Sequence, residues 1–148
     1  MSKIVEIARK EIGTVEVPEN SNKTKYGKWF GFDGAAWCAM FVSWCYAMAD
    51  EQLPNIGFKK GFAGCQMGYA YFKIMGWITD KPVAGDIVLF DWNGDERFDH
   101  TGIFVEWITN ISFNSIEGNT AVGNDSNGGK VMLRERNKSK AIFVHVPQ

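Results

Sequence analysis

The sequence predicts an α+β fold, and three observations carry that expectation. Up to about Pro82 the apolar residues recur at helical spacing; beyond it come short stretches rich in β-branched and aromatic residues; and turns built from Gly, Asn and Asp separate those stretches. Helices first and strands second, in one chain of this size, argue for a helix packed on an antiparallel sheet. A length of 148 residues with 45% hydrophobic content fits one domain, residues 1–148, with a substantial core.

In "MSKIVEIARKEIG", Ile4, Ile7 or Ala8, and Ile12 share a helical face, and Gly13 is placed to end the helix. Residues 17–36 mix Pro, Asn, Ser and Gly with Tyr26, Trp29, Phe30 and Phe32, which predicts an ordered loop pinned by aromatics. From Cys38 to Ala49 nearly every position is apolar, so this helix has no polar face and belongs in the centre of the fold. A loop around Pro54 and Gly57 leads to another helix over about 64–75, "GCQMGYAYFKIM". The expected strands are "GDIVLFDW", "HTGIFVEWIT", "ISFNSIEG", "KVMLRER" and "AIFVHV", with turns at "NGDERFD" and "GNDSNGG".

Composition excludes several functions. A net charge of -1 and a pI near 6.1 supply no basic field for nucleic acid or an anionic membrane surface. The first residues carry charges every few positions, and nowhere do some 18 apolar residues run together, so neither a signal peptide nor a membrane span is expected. The chain is therefore expected to be made soluble in a cytoplasm. Three cysteines form neither an even disulfide framework nor a CxxC pair, and free thiols are expected.

Cys38 opens the apolar helix, where first-turn amides and the positive end of the helix dipole favour thiolate over thiol. Cys45 lies seven residues on, on nearly the same face but about 10 Å along the axis, too far for a disulfide with Cys38. Cys45 and Cys65 read as core residues. A thiol with an ordinary pKa is only about 3% ionised at neutral pH, so a nucleophilic Cys38 needs a base and the base an orienting group.

Of the two histidines, His145 sits inside "AIFVHV" and reads as structural or solvent-facing. His100 opens a strand directly after an acidic turn. Glu117 and Asn119 end the next strand and, two apart, point to one face. If those strands pair antiparallel, the start of the first lies beside the end of the second, and His100 falls next to Glu117 and Asn119. A carboxylate or amide on one ring nitrogen fixes the tautomer and leaves the other for the thiol. Spacing alone leaves open both a Cys-His-Glu/Asn hydrolase and a plain polar turn at Glu117-Gly118-Asn119.

The loop "NSNKTKYGKWFG", the segment "WCAMFVSWC", the strand "GDIVLFDW", the histidine segment "DHTGIFVE" and "EGNT" follow one another in an order that resembles the CHAP family. These are the cysteine- and histidine-dependent amidases and peptidases of peptidoglycan hydrolases. The resemblance runs over nearly the whole chain and implies a papain-like fold, with the catalytic cysteine at a helix N-terminus. Carried over, it implies Cys38 as nucleophile, His100 as general base, Glu117 as the group orienting His100 and Asn119 as a second polar support. NlpC/P60-type wall endopeptidases have a similar cysteine helix and histidine strand, but "EGN" in the third place favours CHAP. A catalytically silent wall-binding or tail module is the alternative of a different class, against which the intact residue set argues.

The expected reaction is attack of Cys38 on an amide of bacterial peptidoglycan, in the stem peptide, the cross-bridge or the muramoyl-L-alanine bond. The Cys38 N–H is a natural oxyanion donor. The glutamine that papain-type enzymes carry before the cysteine is absent from "GFDGAA", and neither Asp33 nor "NSN" is an obvious replacement. Trp37 and Phe98 flank the catalytic residues and are placed either to wall the substrate groove or, as is commoner for a single aromatic, to pack in the core. No metal or other cofactor is expected. Some relatives bind calcium, but in "DWNGDERFDHTG" the residues Asp91, Asn93 and Asp95 are followed by Glu96 and Gly102 where an EF-hand needs Gly and Glu. The resemblance further implies a bacteriophage endolysin for a Gram-positive host, reaching the wall after release from the host cytoplasm. Weak charge implies a separate cell-wall-binding domain or subunit.

Overall fold

The computed structural model describes residues 2–121, 123–125 and 127–147. Helix α1, Lys3–Glu11, starts at Ser2, whose Oγ accepts the Val5 N–H at 3.2 Å, and buries Ile4, Val5 and Ala8. Ile12 falls outside that face and is largely exposed. Helix α2, Lys25–Phe30, lies within the segment expected to be a loop. Its Thr24 cap accepts the Gly27 N–H, Gly31 ends it in the left-handed conformation, and Tyr26 and Phe30 are buried. Six residues interrupted by a glycine are too short to show helical periodicity, which is why this element was not legible.

Helix α3, Cys38–Met48, is the apolar segment, with eight of its residues buried. Its polar groups are satisfied internally: Ser43 Oγ donates to the Ala39 carbonyl and accepts the Phe62 N–H, and Tyr46 Oη donates to the Gly85 carbonyl. Helix α4, Cys65–Met75, ends at a left-handed Gly76.

Among the described residues six antiparallel strands follow: β1 Ile78–Thr79, β2 Ile87–Phe90, β3 His100–Trp107, β4 Ser112–Thr120, β5 Lys130–Asn137 and β6 Ala141–Val144. Their order across the sheet is β1-β6-β2-β3-β4-β5. The α+β expectation therefore stands, with the two-residue β1 added at one edge. Alternation along the strands makes two cores. Ile87, Leu89, Ile103, Val105, Ile116 and Val144 join the helices, whereas Val88, Phe90, Phe104, Phe113 and Phe143 pack together in a separate cluster. In that second cluster Phe113 and Phe143 meet edge to face at 5.2 Å, an arrangement adding about 0.5–1.5 kcal/mol beyond burial.

The closeness of α3 to β4 depends on a missing side chain. A Cβ on Gly118 would stand 2.8 Å from both Trp37 Cζ3 and Phe41 Cβ. Only glycine permits this approach.

Candidate active site

Cys38 is the first residue of α3, and no side chain caps that helix start. The positive end of a helix dipole favours negative charge at such a position. His100 is the first residue of β3 and pairs with Phe90 of β2. Its ring is fully buried, stacked on Phe90 and Trp92 at 5.8 and 6.0 Å. β3 and β4 pair antiparallel, the arrangement considered from sequence, with Ile103 opposite Ile116 and a bulge between Phe104 and Glu106. It brings Glu117 Oε1 to 2.9 Å from His100 Nε2. Gly102 makes room for this contact, since a Cβ there would lie 2.6 Å from Glu117 Cγ.

The Nε2–Glu117 bond fixes the tautomer and directs Nδ1 to the thiol. Nδ1 is buried and makes no hydrogen bond among the described residues, while Cys38 acts on the ring electrostatically.

Glu117 is buried and needs a cation, which Arg136 of β5 supplies. Arg136 Nε donates to Glu117 Oε2 at 2.9 Å, Nη2 donates to Oε1 at 2.5 Å, and Nη1 donates to Asp125 Oδ1 at 3.0 Å. The guanidinium also lies over the Trp92 ring, 4.8 Å from its centroid. Sequence reasoning missed Arg136. The available signal was a buried carboxylate in want of a partner, but Arg134 and Arg136 both stand in the neighbouring strand, and only the fold separates them. Arg134 goes instead to Thr120, Ala121 and Asp125.

Cys65 was missed as well. Read as core, it is indeed buried, yet its Sγ lies 3.8 Å from Cys38 Sγ. The hydrogen bond with Cys65 holds the Cys38 thiol well below its ordinary pKa; burial opposes this, and the His100 imidazolium and the Thr101 backbone N–H assist it. Burial alone would discharge His100, but its interactions with Cys38 and Glu117 outweigh that and raise it to about 9. Burial likewise pushes Glu117 up, and Arg136 and His100 together bring it below the usual carboxylate value. The directions of these shifts favour alternating charge along the buried row of Cys38, His100, Glu117 and Arg136.

The sequence model of the CHAP domain family matches residues 29–119, well over half the chain and a span containing Cys38, His100 and Glu117. The chain belongs to the CHAP family. It is a hydrolase of the peptidoglycan amidase/peptidase type. No curated protein matches the chain.

The other residues of this CHAP-family chain singled out by sequence are placed as follows. Asn119, buried and in the left-handed conformation at φ 59°, accepts the Gly129 N–H on Oδ1 at 3.3 Å, and its carbonyl accepts the Gly128 N–H. It thereby ties the end of β4 to the 128–129 turn. Trp37 corrects an expectation: rather than walling a groove, it is wholly buried, stacked on Tyr26 at 5.5 Å with its indole N–H donating to Glu16 Oε2. Gly118 draws it into the core. Phe98 is half-buried against Tyr69, ring centroids 4.4 Å apart. Asp33 accepts the backbone N–H groups of Thr24 and Gly34 and so serves its own loop. Cys45 is fully buried. His145 lies just past β6 with Nδ1 2.7 Å from Asp86 Oδ1.

Asp91, Asp95 and Asp99 bring carboxylate oxygens within 4.8 Å of one another. Calcium takes six to eight oxygens, usually including a bidentate carboxylate. Here Asp91 already accepts Gly94 and Glu96 N–H groups, Asp95 accepts Arg97 N–H and Asp99 accepts Trp92 N–H. These three carboxylates also close their own turns, and no catalytic step is routed through a metal here. Among the described residues no helix is long and apolar enough to cross a membrane.

Proposed function

We propose that Cys38 is the nucleophile, His100 the acid and base, and Glu117 the group that orients His100, in cleavage of a peptidoglycan amide by a bacteriophage lysin acting on a Gram-positive wall. The observation that carries the reading is the buried His100–Glu117 bond at 2.9 Å, which leaves Nδ1 for the sulfur. The thiolate attacks the amide carbonyl and the tetrahedral oxyanion forms beside the Cys38 N–H. Imidazolium Nδ1–H then protonates the leaving amine as the C–N bond breaks, giving a thioester. His100, now neutral, takes a proton from water; hydroxide adds to the thioester, and the acid product leaves as the thiolate re-forms beside imidazolium. Glu117 stays ionised throughout, held by Arg136. Asn119 fixes the strand end that carries Glu117. A net charge of -1 gives little attraction to an anionic wall, which supports a separate wall-binding module as the source of host range.

The test is digestion of purified Gram-positive peptidoglycan by the wild type and by Cys38→Ala, with released fragments identified by mass spectrometry. Fragments from the wild type alone are expected, and their masses distinguish the muramoyl-L-alanine bond from a peptide bond. If both proteins sediment with walls of several types and neither releases fragments, the chain is a silent wall-binding module.

A further inference from the structure

Cys65 has no task in the mechanism above, yet its sulfur lies 3.8 Å from that of the nucleophile. The starts of α3 and α4 meet there sulfur to sulfur, with Cys38 6% and Cys65 8% exposed. Two neutral thiols gain little from such contact, because S–H is a weak donor and sulfur a weak acceptor. A thiolate acceptor changes the balance, since a charge-assisted hydrogen bond is about twice as strong as a neutral one.

Contacts that do not involve Cys38 hold Cys65 in place. In the same turn of α4, Gln66 Oε1 accepts the Phe98 N–H at 2.9 Å, and one turn on Tyr69 packs on the Phe98 ring. The first turn of α4 is therefore clamped to the segment leading into His100, and Cys65 stands on a fixed support.

We propose that Cys65 is a positioning residue whose S–H donates to the Cys38 thiolate, keeping the nucleophile ionised and fixed beside His100. The surrounding groups agree on which sulfur carries the proton. His100 from β3 and the Thr101 N–H stabilise charge on Cys38. The Cys38 bond, burial and the Asp99 carboxylate all hold Cys65 neutral. Glu117 and Arg136 lie behind His100 and compensate one another. The inference rests on Cys38 being the nucleophile, but its readouts need no peptidoglycan.

The experiment compares wild type, Cys65→Ala and Cys65→Ser, all with thermal melts to verify folding. Thiolate ultraviolet absorbance is titrated, with Cys38→Ala as baseline, and the iodoacetamide rate at Cys38 is followed by peptide mass spectrometry across pH. Cys65→Ala should lower the thiolate fraction and alkylation about tenfold on the rising limb of the profile. Its alkaline plateau should be at or above the wild-type value, because a less stabilised thiolate is the better nucleophile. Cys65→Ser, which keeps a donor, should restore most of the acid limb. Superimposable profiles for wild type and folded Cys65→Ala, or a uniform loss at every pH that serine does not rescue, would overturn the proposal. Failure of the hydrolase reading shows separately, as silence on peptidoglycan with these profiles unchanged.

Discussion

Among the described residues stand two histidine–carboxylate pairs of nearly equal length, His100–Glu117 at 2.9 Å and His145–Asp86 at 2.7 Å, in very different surroundings. The first is wholly buried, with a guanidinium behind the carboxylate and a thiol before the imidazole. In the second, the His145 side chain is 52% exposed, Asp86 also accepts the Val83 N–H, and burial moves the Asp86 carboxyl upward rather than down. Contact between a histidine and a carboxylate is thus no signature of catalysis. What sets the first pair apart is a neighbour at each end, and exclusion of water, which strengthens each of those interactions.

The sharpest way to break this comparison is to remove each imidazole in turn. His100→Ala should lower peptidoglycan hydrolysis by at least about 10²–10⁴-fold, the ordinary worth of a general acid–base group, with the thiol also losing its counter-ion. His145→Ala should leave the rate within a factor of about two under the same assay. Equal losses would mean that the two pairs share a structural role.

Next in size is the cation behind Glu117. Arg136→Ala leaves a buried carboxylate without its guanidinium and should destabilise the fold by about 3–5 kcal/mol in urea titration. His145→Ala, which removes a half-exposed side chain while leaving buried Asp86 its Val83 N–H bond, should change stability by no more than about 1 kcal/mol. A small effect at Arg136 would show that the Glu117 charge is relieved some other way.

The pH profile gives a subtler contrast. His100 must be protonated to release the amine, and its pKa is raised to about 9, so activity should persist through neutral pH and fall as pH rises through about 9. The acid limb belongs to Cys38, whose pKa is lowered, so activity falls where the thiolate takes up a proton. The same upper limb should appear with His145→Ala. An alkaline limb near the free-histidine value instead would mean that the thiolate–imidazolium pair does not form.

A local effect should follow when Phe98 is truncated. Phe98→Ala removes its packing on Tyr69 while leaving the backbone bond to Gln66, and a stability loss of about 1–2 kcal/mol in thermal melts, with a modest rise in KM, is expected.

Much of the site was legible because it follows local rules. The apolar run from Cys38 forms α3, the β-branched stretches after Pro82 form strands, and side-chain alternation across one antiparallel pair brings Glu117 to His100. What escaped depends on which elements meet. Cys65 begins a helix whose sequence gives no hint that it abuts α3. Arg136 looks like any charged residue on an edge strand until β5 is paired with β4. Trp37 beside the nucleophile suggested a groove wall, but the glycine that draws it inward lies eighty-one residues later in the chain.

That glycine, Gly118, has an implication for how such enzymes fail. A single methyl group there would press on Trp37 and Phe41 and push the helix carrying the sulfur away from the strand that positions the imidazole. Every reactive group would still be present. A chain so altered would score as intact to anyone checking for its cysteine, histidine and glutamate, yet its chemistry would be lost to a displacement smaller than an atom's width.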